Sequence, residues 1–589
     1  MNEIRDCLRA EIKRLFDVEI EPEVVVAPEA QAADYASNVA MRVAGMLKVK
    51  GEQIAPREVA ERIVKEIETS DLEFSVEVAG PGFLNFIARD EYWKTKLAEI
   101  VADFDKNISC DEYSGKTVIC EFSDPNPFKV LHVGHLYTSI VGDSISRLVE
   151  FAGGKVVRAN FGGDVGLHVG KTLWAMMRDH KKADDIAEIA KCYVEGTRAY
   201  EDDETAKAEI VKLNKEIYHI AENDIREGEL AKLYWQGREV SYQYFEDFYK
   251  RVGVKFDKYY PESTVAKRGL SEVKAHVGDV YEESNGAIVF AGEKYDLHTR
   301  VFVNAEGLPT YEAKDVGLIF TKWDDYKFDK SIVITGNDII DYMKVVLKSI
   351  SLYAPELVER TKHITHGNVR LPGNEKMSSR KGNFIKAVDV LDTVEAMVER
   401  SAATSQITLG AIKYAFLKYK IGGNIEFDAE ESVSTTGNSG VYLQYSAVRA
   451  KKVLLACSSA SADALRRTSS SLRTDEWQDA QRTDSTSRSA TPLNNSAIRT
   501  SWVLTKNEKK LIAKLTQYGQ ILREALSDLA PHKVANYLYE LAQEFSRFYE
   551  NVKVAGSEYE VERASLVKAY YETMAHGLNI LGIEIPEEM

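Results

Sequence analysis

"KTVICEFSDPNPFKVLHVGHLYTSIVGDSISRLVEF" (residues 116–151) is the stretch that decides the fold. Its run from Thr117 to Phe122 predicts a short buried strand, and a proline-rich loop follows. Apolar residues at helical spacing then predict an amphipathic helix: Leu136, Ile140, Ile145 and Leu148. "KVVRANF" (residues 155–161) predicts a second strand. The segment is therefore a βαβ unit, which implies a right-handed crossover in a parallel sheet.

Two histidines, His132 and His135, open the predicted helix at the carboxyl end of the first strand, where parallel sheets bind ligands. Being three residues apart, they face one side of the helix. The backbone N–H groups and the dipole of a helix start attract phosphate, and Gly134 lets a flat base approach the backbone. Taken alone, the motif leaves three interpretations open: a metal site, a phosphate site, or two partly exposed loop histidines.

A second stretch, "EKMSSRKGNF" (residues 375–384), surrounds two serines with three cations. Such cations suit a triphosphate, because they stabilise the charge that develops during nucleotidyl transfer. A single short basic loop is more often solvated surface. The combination with the two histidines is much more specific than either motif.

Composition excludes several classes of protein. The 589 residues are too many for one core, so several domains are expected. A net charge of −16 lowers the expectation of a nucleic-acid partner without excluding one. No apolar run approaches the ~20 residues of a membrane span. The five cysteines form no C-x-x-C pair, and the N-terminus resembles neither a signal nor a transit peptide, so we expect a cytoplasmic protein.

Periodicity predicts three domains. Residues 1–112 predict a small α+β domain in which Gly80-Pro81-Gly82 separates two strands. Residues 113–396 predict a Rossmann-like α/β domain with a parallel sheet and a helical insertion at about 173–251. Residues 397–589 predict an all-α domain, interrupted at 458–501 by a Ser-, Thr- and Arg-rich segment whose composition favours a flexible or disordered loop.

H-x-G-H after the first strand, followed by K-M-S-[ST]-R-K, resembles the two signatures of class I aminoacyl-tRNA synthetases. "EFSDPNPFKVLHVGHL" and "KMSSRKGN" resemble the arginyl-tRNA synthetase versions. Further similarity lies in "GPGFLNFI", "GVYLQYSAVRA", "YLYELAQEFSRFYENVKV" and "GLNILGIEIPEEM", so it covers nearly the whole chain apart from residues 458–501. The resemblance implies ATP-dependent ligation of L-arginine to tRNA(Arg) through an arginyl-adenylate, with release of AMP and pyrophosphate.

The resemblance also implies the arginine-binding residues. Glu121 and Asp315 would grip the guanidinium while Tyr311 lines its pocket. Carboxylates accepting bidentate hydrogen bonds suit this planar, permanently charged group. The remaining implied arginine-binding residues are Asn126, at the α-amino or carboxylate end, His132 and Asn337.

For ATP, the resemblance implies that His132, Gly134 and His135 bind the nucleotide and that the histidines donate to phosphate oxygens in the transition state. No general base is needed, because the nucleophile is already a carboxylate. Lys129 is expected to be a phosphate ligand, and Lys376 to stabilise the departing pyrophosphate with Mg²⁺. The ATP-binding residues expected from the second signature are Lys376, Met377, Ser378, Arg380 and Lys381. We expect no tightly bound protein metal.

Four positions depart from the family pattern. Asn337 and Ile340 stand where a Q-x-x-H run is usual, and "NFGGDVGLHVG" has Val165 and His168 at atypical positions. These changes leave the two signatures intact.

The C-terminal domain resembles the anticodon-binding bundle of the family, and the N-terminal domain resembles the one that touches the tRNA elbow. Aromatic side chains interleaved with arginine suit stacking on unpaired bases, although most such aromatics can equally be helix core. The expected tRNA-binding residues are Tyr442, Gln444, Arg449, Arg547 and Tyr549. A DNA partner and a membrane are not expected, and a monomer is.

Three other functions share part of this pattern. A class I synthetase for another amino acid would lack the Glu121 and Asp315 pairing or would need zinc thiolates. A synthetase-like protein that binds RNA without charging it is disfavoured by the intact His132, His135 and Lys376. A small nucleotidylyltransferase would not need about 190 residues of C-terminal helices.

Overall fold

In the computed structural model the described residues are 2–27, 33–68, 72–370, 385–457 and 498–589. The chain divides into two compact units. The first comprises Met1–Asn107, Lys452–Gln517 and Glu544–Tyr570, and the second comprises Ile108–Lys451, Tyr518–Gln543 and Tyr571–Met589.

The N-terminal part of the first unit is an α+β structure around a four-stranded antiparallel sheet of order β1-β2-β4-β3. Its elements are α1 (Asn2–Phe16), β1 (Val25–Val26), β2 (Tyr35–Ser37), α2 (Val39–Val49), α3 (Pro56–Ile67), β3 (Phe74–Ala79), β4 (Phe83–Ala88), α4 (Asp90–Ala102) and α5 (Phe104–Ile108). Strands β3 and β4 pair on either side of Gly80-Pro81-Gly82, which confirms the predicted pair of strands.

The second unit is built on a five-stranded, all-parallel sheet of order β12-β11-β5-β6-β7, which confirms the predicted parallel sheet. Its first elements are β5 (Thr117–Glu121), α6 (Val133–Phe151), β6 (Lys155–Gly162), α7 (Leu167–Arg178), α8 (Ile186–Asp202), α9 (Glu204–Glu222), α10 (Glu229–Val252), β7 (Lys258–Pro261) and α11 (Glu262–Ala275). Helices α7–α10 correspond to the predicted helical insertion.

A separate antiparallel sheet of order β10-β9-β8 follows. The next elements are β8 (Glu282–Ser284), β9 (Ala287–Phe290), β10 (Arg300–Val303), α12 (Tyr311–Tyr326), β11 (Lys330–Gly336), α13 (Ile340–Ser351), α14 (Pro355–Glu359), β12 (Thr361–His366) and β13 (Val369–Arg370), with short 3₁₀ helices at Gly292–Tyr295 and Asn337–Ile339. "GAIVF" and "RVFVN" thus have the predicted strand character but belong to this small sheet, whereas "SIVIT" belongs to the parallel one.

The rest of the chain is mostly helical. Its elements are α15 (Ala387–Met397), α16 (Thr404–Leu417), β14 (Ile425–Glu426), α17 (Ala429–Ser432), α18 (Gly440–Ala456), α19 (Lys506–Leu515), α20 (Tyr518–Asp528), α21 (Pro531–Asn551) and α22 (Glu560–Ile580). Among the helices of the described ranges, none has the length and apolar character required to cross a bilayer.

Close packing fixes α6 against the loop that follows β5. Almost the entire helix is buried, and a Cβ at Gly142 would lie 2.1 Å from Cγ of Phe122. Thr138 and Ser139 bond back to carbonyl oxygens one turn earlier, which satisfies their hydroxyls inside the core. The start of α6 is therefore held firmly at the carboxyl end of β5.

Candidate active site at the carboxyl edge of the parallel sheet

The site lies where the strand order of the parallel sheet reverses. Strand β5 is central: β6 and β7 follow on one side, and β11 and β12 on the other. The carboxyl end of β5 is therefore a topological switch point, the place where such sheets bind ligands. Glu121 is its last residue, paired in register with Ala159 of β6 and Val333 of β11.

Two histidines cap α6 at this point. His132 is the N-cap, and its Nδ1 accepts from the backbone N–H of Gly134 at 3.1 Å. Nδ1 of His135 accepts from the backbone N–H of His132 at 3.1 Å, which completes a reciprocal capping box. The two rings stack with centroids 3.8 Å apart. The structure thus brings the two predicted histidines together on one side of the helix start.

This geometry sets the tautomer of both rings. Because each Nδ1 accepts a hydrogen bond, a neutral ring must carry its proton on Nε2. Burial, with the charge of Lys129, lowers the pKa of His132 to about 4. Burial also places the pKa of His135 well below its ordinary value, and His132 lowers it further. Near neutral pH both residues are uncharged Nε2–H donors at a helix N-terminus.

The loop between β5 and α6 is held in an unusual conformation. Ser123, Asp124 and Phe128 all have positive φ, at 75°, 50° and 66°. Helix α10 of the insertion holds it: the hydroxyl of Tyr249 lies 2.8 Å from Oγ of Ser123, and Oγ of Ser241 accepts from N–H of Phe128 at 2.9 Å. The insertion therefore shapes the loop that carries the site.

Glu121 is buried and already paired. Its Oε2 accepts from Nζ of Lys322 at 2.6 Å, and the same ammonium donates to Oγ of Ser331 at 3.1 Å. Lys322 lies on α12, seven residues after Asp315, so the two share a helix face. The sequence interpretation missed Lys322, although its spacing from Asp315 was a usable signal.

Asp315 accepts a hydrogen bond at Oδ2 from the hydroxyl of Tyr342 on α13. Burial raises the pKa of Asp315 to about 7, and the carboxylates of Glu121 and Glu262 add to this, while Tyr342 and Lys322 oppose it. A carboxyl group in this state gains most from an external cation. Tyr342 is a second residue that sequence reasoning missed.

Asp124 is a further carboxylate of the same cluster. Its Oδ1 accepts from N–H of Phe161 at 2.8 Å. Burial, followed by the charge of Glu121, raises its pKa well above the ordinary value. It was not among the predicted arginine-binding residues.

Asn126 lies beside a second buried ion pair. Its Oδ1 accepts from N–H of Gly163 at 2.8 Å, and a Cβ at Gly163 would lie 3.0 Å from Oε1 of Glu262. Nζ of Lys314 donates to Oε2 of Glu262 at 2.5 Å, with both side chains almost fully buried. Tyr311 is 53% exposed, and Nζ of Lys314 lies 5.1 Å from its ring centroid.

A close helix crossing creates that ion pair. A Cβ at Gly269 of α11 would lie 1.7 Å from the carbonyl oxygen of Ala313, and one at Gly317 of α12 would lie 2.2 Å from that of Val265. These glycines let α11 and α12 touch backbone to backbone. The sequence gives Gly269 and Gly317 no obvious role, and only the packing reveals it.

The atypical positions have structural roles. His168 donates from Nε2 to the carbonyl oxygen of Gly163 at 2.7 Å, and its Nδ1 has no hydrogen-bond partner in the described part of the chain. Val165 is a core residue. Nδ2 of Asn337 donates to the carbonyl oxygen of Gly422 at 2.9 Å, so that amide is engaged with backbone.

Lys129 lies next to the histidines in sequence and 4.6 Å from the ring centroid of Tyr193, measured from Nζ. The second signature, with Lys376, Met377, Ser378, Arg380 and Lys381, lies outside the described residues. Within those residues, no group of three or more His, Cys, Asp or Glu side chains could hold a metal ion.

Similarity to known protein families shows which family this chain belongs to. The model described as "tRNA synthetases class I (R), catalytic domain" matches residues 96–428, more than half of the chain. The chain belongs to the arginyl-tRNA synthetases. The "Arginyl tRNA synthetase N terminal domain" matches residues 2–88, and the "DALR anticodon binding domain" matches residues 443–589. The resemblance found in the sequence is thereby confirmed.

Relatives span the full length of this synthetase. The arginine–tRNA ligase of Clostridium kluyveri is 27% identical over 603 residues, with 98% of each chain covered. The arginyl-tRNA synthetase structure from Plasmodium falciparum has a TM-score of 0.73 at 18% identity, covering 100% of this chain and 99% of the other. That from Thermus thermophilus has a TM-score of 0.69 at 22% identity, covering 100% of both. The predicted multidomain fold is confirmed, as is the predicted class: a class I ligase that charges tRNA with arginine.

The predicted tRNA-binding residues of the synthetase fall into both compact units. In the second unit, Gln444 is fully buried and donates to the carbonyl oxygens of Gln406 and Glu584, so its side chain is inaccessible to RNA. Nη2 of Arg449 donates to the hydroxyl oxygen of Tyr445, and the hydroxyl of Tyr442 donates to the carbonyl oxygen of Ala542. In the first unit, Arg547 pairs with Glu544, and Tyr549 is 43% exposed.

The predicted flexible segment comprises residues 458–501. Of these, 458–497 lie outside the described residues, and 498–501 are described. Its last four residues correct the expectation. Nε of Arg499 pairs with Oε1 of Glu562 at 2.5 Å, and the carbonyl oxygen of Thr500 accepts from Nζ of Lys94 at 2.7 Å. Residues 498–501 therefore make specific contacts in the first unit.

Proposed function

We propose that this synthetase activates L-arginine at the carboxyl edge of its parallel sheet and then transfers it to tRNA(Arg). The observation that supports this most directly is the pair of neutral histidines capping α6, on the loop that starts from the carboxylate-bearing end of β5. The histidine pair suits a polyphosphate, and the carboxylates suit a cation. Adenylation of arginine needs both.

The arginine end would use Glu121 and Asp315 for the guanidinium, with Tyr311 beside it. Both carboxylates are desolvated, and a buried charge binds an opposite charge strongly. Asn126 would orient the α-amino or carboxylate end. His132 and Asn337 complete the proposed set, with Asn337 contributing through its backbone contact to Gly422.

The ATP end would use His132, Gly134 and His135, with Lys129 as a phosphate ligand. The carboxylate of arginine attacks the α-phosphate, forming the acyl-phosphate bond of arginyl-adenylate and breaking the bond to pyrophosphate. Two Nε2–H donors stabilise the negative charge on the phosphate oxygens in that transition state. Lys376, Met377, Ser378, Arg380 and Lys381 would bind the leaving pyrophosphate, as the signature predicts.

The described residues do not fit a protein-held Mg²⁺. Mg²⁺ commonly binds through substrate phosphates, so we propose that it enters with ATP. The proposed steps of the protein itself are therefore binding, orientation and charge stabilisation.

The second half-reaction transfers arginine to the terminal ribose hydroxyl of tRNA(Arg) and releases AMP. We propose residues 1–112 as the tRNA-contacting domain, 113–396 as the catalytic domain with an insertion at about 173–251, and 397–589 as the anticodon-binding domain. Tyr442, Arg449, Arg547 and Tyr549 are proposed RNA contacts, and Gln444 supports them from the core. We further propose a monomer in the cytoplasm.

The test is arginine-dependent pyrophosphate exchange and tRNA charging by the purified chain, with each amino acid, with and without cognate tRNA. Of the amino acids tested, only arginine is expected to be attached to tRNA. Absence of both reactions with arginine, ATP, Mg²⁺ and cognate tRNA present would refute the proposed function.

Asp315→Asn sharpens this test. Loss of the anion is expected to raise the KM for arginine by about 10²-fold, the scale of a charged hydrogen bond, and to leave the KM for ATP within about twofold. Asp325→Asn is the matched control, because Asp325 lies on the same helix and accepts from the hydroxyl of Tyr260 at 3.0 Å. Equal effects of Asp315→Asn on both substrates would place Asp315 outside the guanidinium pocket.

A further inference from the structure

Lys322 is a buried cation at the wall of the proposed arginine pocket. Its side chain is 1% exposed and that of Glu121 is 4% exposed. Its ammonium makes two contacts, to Oε2 of Glu121 at 2.6 Å and to Oγ of Ser331 at 3.1 Å. A buried ammonium is stable only with partners of this kind.

The contact leaves Glu121 with one available oxygen. Lys322 occupies Oε2, and Oε1 accepts no hydrogen bond from the residues that the structure describes. Asp315 likewise has one oxygen with a protein donor, because the hydroxyl of Tyr342 donates to its Oδ2. In each of the two carboxylates, therefore, one oxygen already has a protein donor and the other, Oε1 of Glu121 or Oδ1 of Asp315, has none among the described residues.

We propose that Lys322 is a positioning residue for arginine, which anchors Oε2 of Glu121 and so orients the carboxylate for a guanidinium that bridges Oε1 of Glu121 and one oxygen of Asp315. This rests on the proposed function, in which these two carboxylates receive the guanidinium. A planar group with N–H donors on two edges satisfies both oxygens together, whereas the compact ammonium of lysine does not. Lys322 also cancels the charge of Glu121, so Asp315 is the anion that the substrate neutralises.

Removal of the ammonium changes the state of Glu121. The groups facing Glu121 are Lys322 and Asp315 on α12, Asp124 on the loop after β5, and Tyr260 on β7. Without Lys322, all that remain are acids. A buried carboxyl group among them binds a proton, and it then presents an O–H where the guanidinium needs an acceptor.

The experiment measures kcat and KM for arginine and for ATP in tRNA charging by the full chain between pH 6.5 and 9. Lys322→Met is expected to raise the KM for arginine about tenfold or more at pH 7, the factor that corresponds to one pKa unit. This increase over the wild-type KM should become smaller toward pH 9. The KM for ATP should stay within about twofold. Lys322→Arg keeps the charge, so any increase that it causes in the KM for arginine should be the same at every pH.

Lys413→Met is the control for loss of a buried lysine. Lys413 is also buried and donates to the carbonyl oxygen of Gly582 at 2.6 Å, outside the proposed pocket. It should lower thermal stability without changing the KM for arginine. A folded Lys322→Met enzyme with the wild-type arginine KM at every pH overturns the proposal. So does a pH-independent increase matched by Lys413→Met.

A second variant covers the case in which Lys322→Met does not fold. Lys322→Met with Glu121→Gln removes both charges, and its KM for arginine should rise about tenfold without the recovery at high pH. A wild-type KM in this double variant also overturns the proposal. If the wild-type enzyme itself fails to charge tRNA with arginine, the proposed function fails instead, and the two failures are distinguished.

Discussion

The histidine half and the carboxylate half of the site respond to burial in opposite directions. Burial lowers the pKa of His132 to about 4 and places that of His135 well below its ordinary value. Burial raises the pKa of Asp315 to about 7 and that of Asp124 well above its usual value. In both halves a desolvated environment favours the neutral form.

The uncharged form suits the histidine half of the site and does not suit the carboxylate half. A neutral imidazole keeps Nδ1 as the acceptor that caps α6 and Nε2–H as a donor, which is the state the ATP end needs. The carboxylate half needs an anion for the guanidinium, and Asp315 is only half ionised at about pH 7. Burial therefore keeps the ionisation of the ATP end constant near neutral pH. At the arginine end, burial leaves Asp315 dependent on the positive charge of the substrate to stay ionised.

The largest effect is expected from the histidine half. His135→Gln keeps an N3 side chain that can accept from the N-cap N–H but removes the Nε2–H donor. Adenylate formation should slow by about 10²–10³-fold, the usual consequence of losing one transition-state donor, with the KM for arginine unchanged from pH 6.5 to 9. Single-turnover measurement with labelled ATP gives the rate.

An ordinary capping box supplies the control for His135→Gln. Thr505 and Glu508 satisfy the same backbone groups at the start of α19. Thr505→Ala should cost about 1 kcal/mol of stability without slowing adenylate formation. If His135→Gln instead lowers thermal stability as much as Thr505→Ala and leaves the rate intact, the histidine pair is only a cap.

Much of the fold follows from the sequence because its central strands are strongly patterned. β5 and β6 were predictable as buried runs beside an amphipathic helix. β7 and β12 were not, since they are the edge strands of the sheet, and "KYYP" and "TKHITH" mix polar with apolar residues. Two strands of the small antiparallel sheet, β9 and β10, were recognisable, whereas the polar β8 was not, and pattern alone does not say which strands pair.

The site was predictable where a motif marks it and not where a long-range contact creates it. His132 and His135 stand in a local motif that defines their geometry. Lys322 is a lysine on an amphipathic helix, which ordinarily indicates a solvated side chain, but here it is buried against Glu121 of β5 and Ser331 of β11. Gln444 is the converse case: a polar residue predicted to face RNA lies in the core because backbone carbonyls satisfy it.

The carboxylate half should give the wild-type enzyme a pH-dependent requirement for arginine. As pH falls through about 7, Asp315 gains a proton and loses the charge that attracts the guanidinium. The KM for arginine should therefore rise about tenfold from pH 8 to pH 6, the change expected for one group, while the KM for ATP stays constant. Charging assays across this range test it. Asp315→Asn should flatten the profile, and a parallel rise for ATP would contradict the division into two halves.

The smallest effect concerns the hydroxyl that stabilises the Asp315 anion. Tyr342 donates to Oδ2 and lowers the pKa of Asp315, so Tyr342→Phe should raise that pKa further. The KM for arginine should increase about fivefold at pH 7 and return to within about twofold of wild type at pH 9, as expected for a lost hydrogen bond to a charged group. Tyr281→Phe, which removes a buried hydroxyl bonded to Oγ of Ser349 at 3.1 Å, is the control and should leave the arginine KM unchanged. An increase that persists at pH 9 would mean that Tyr342 shapes the pocket and does not act through the charge of Asp315.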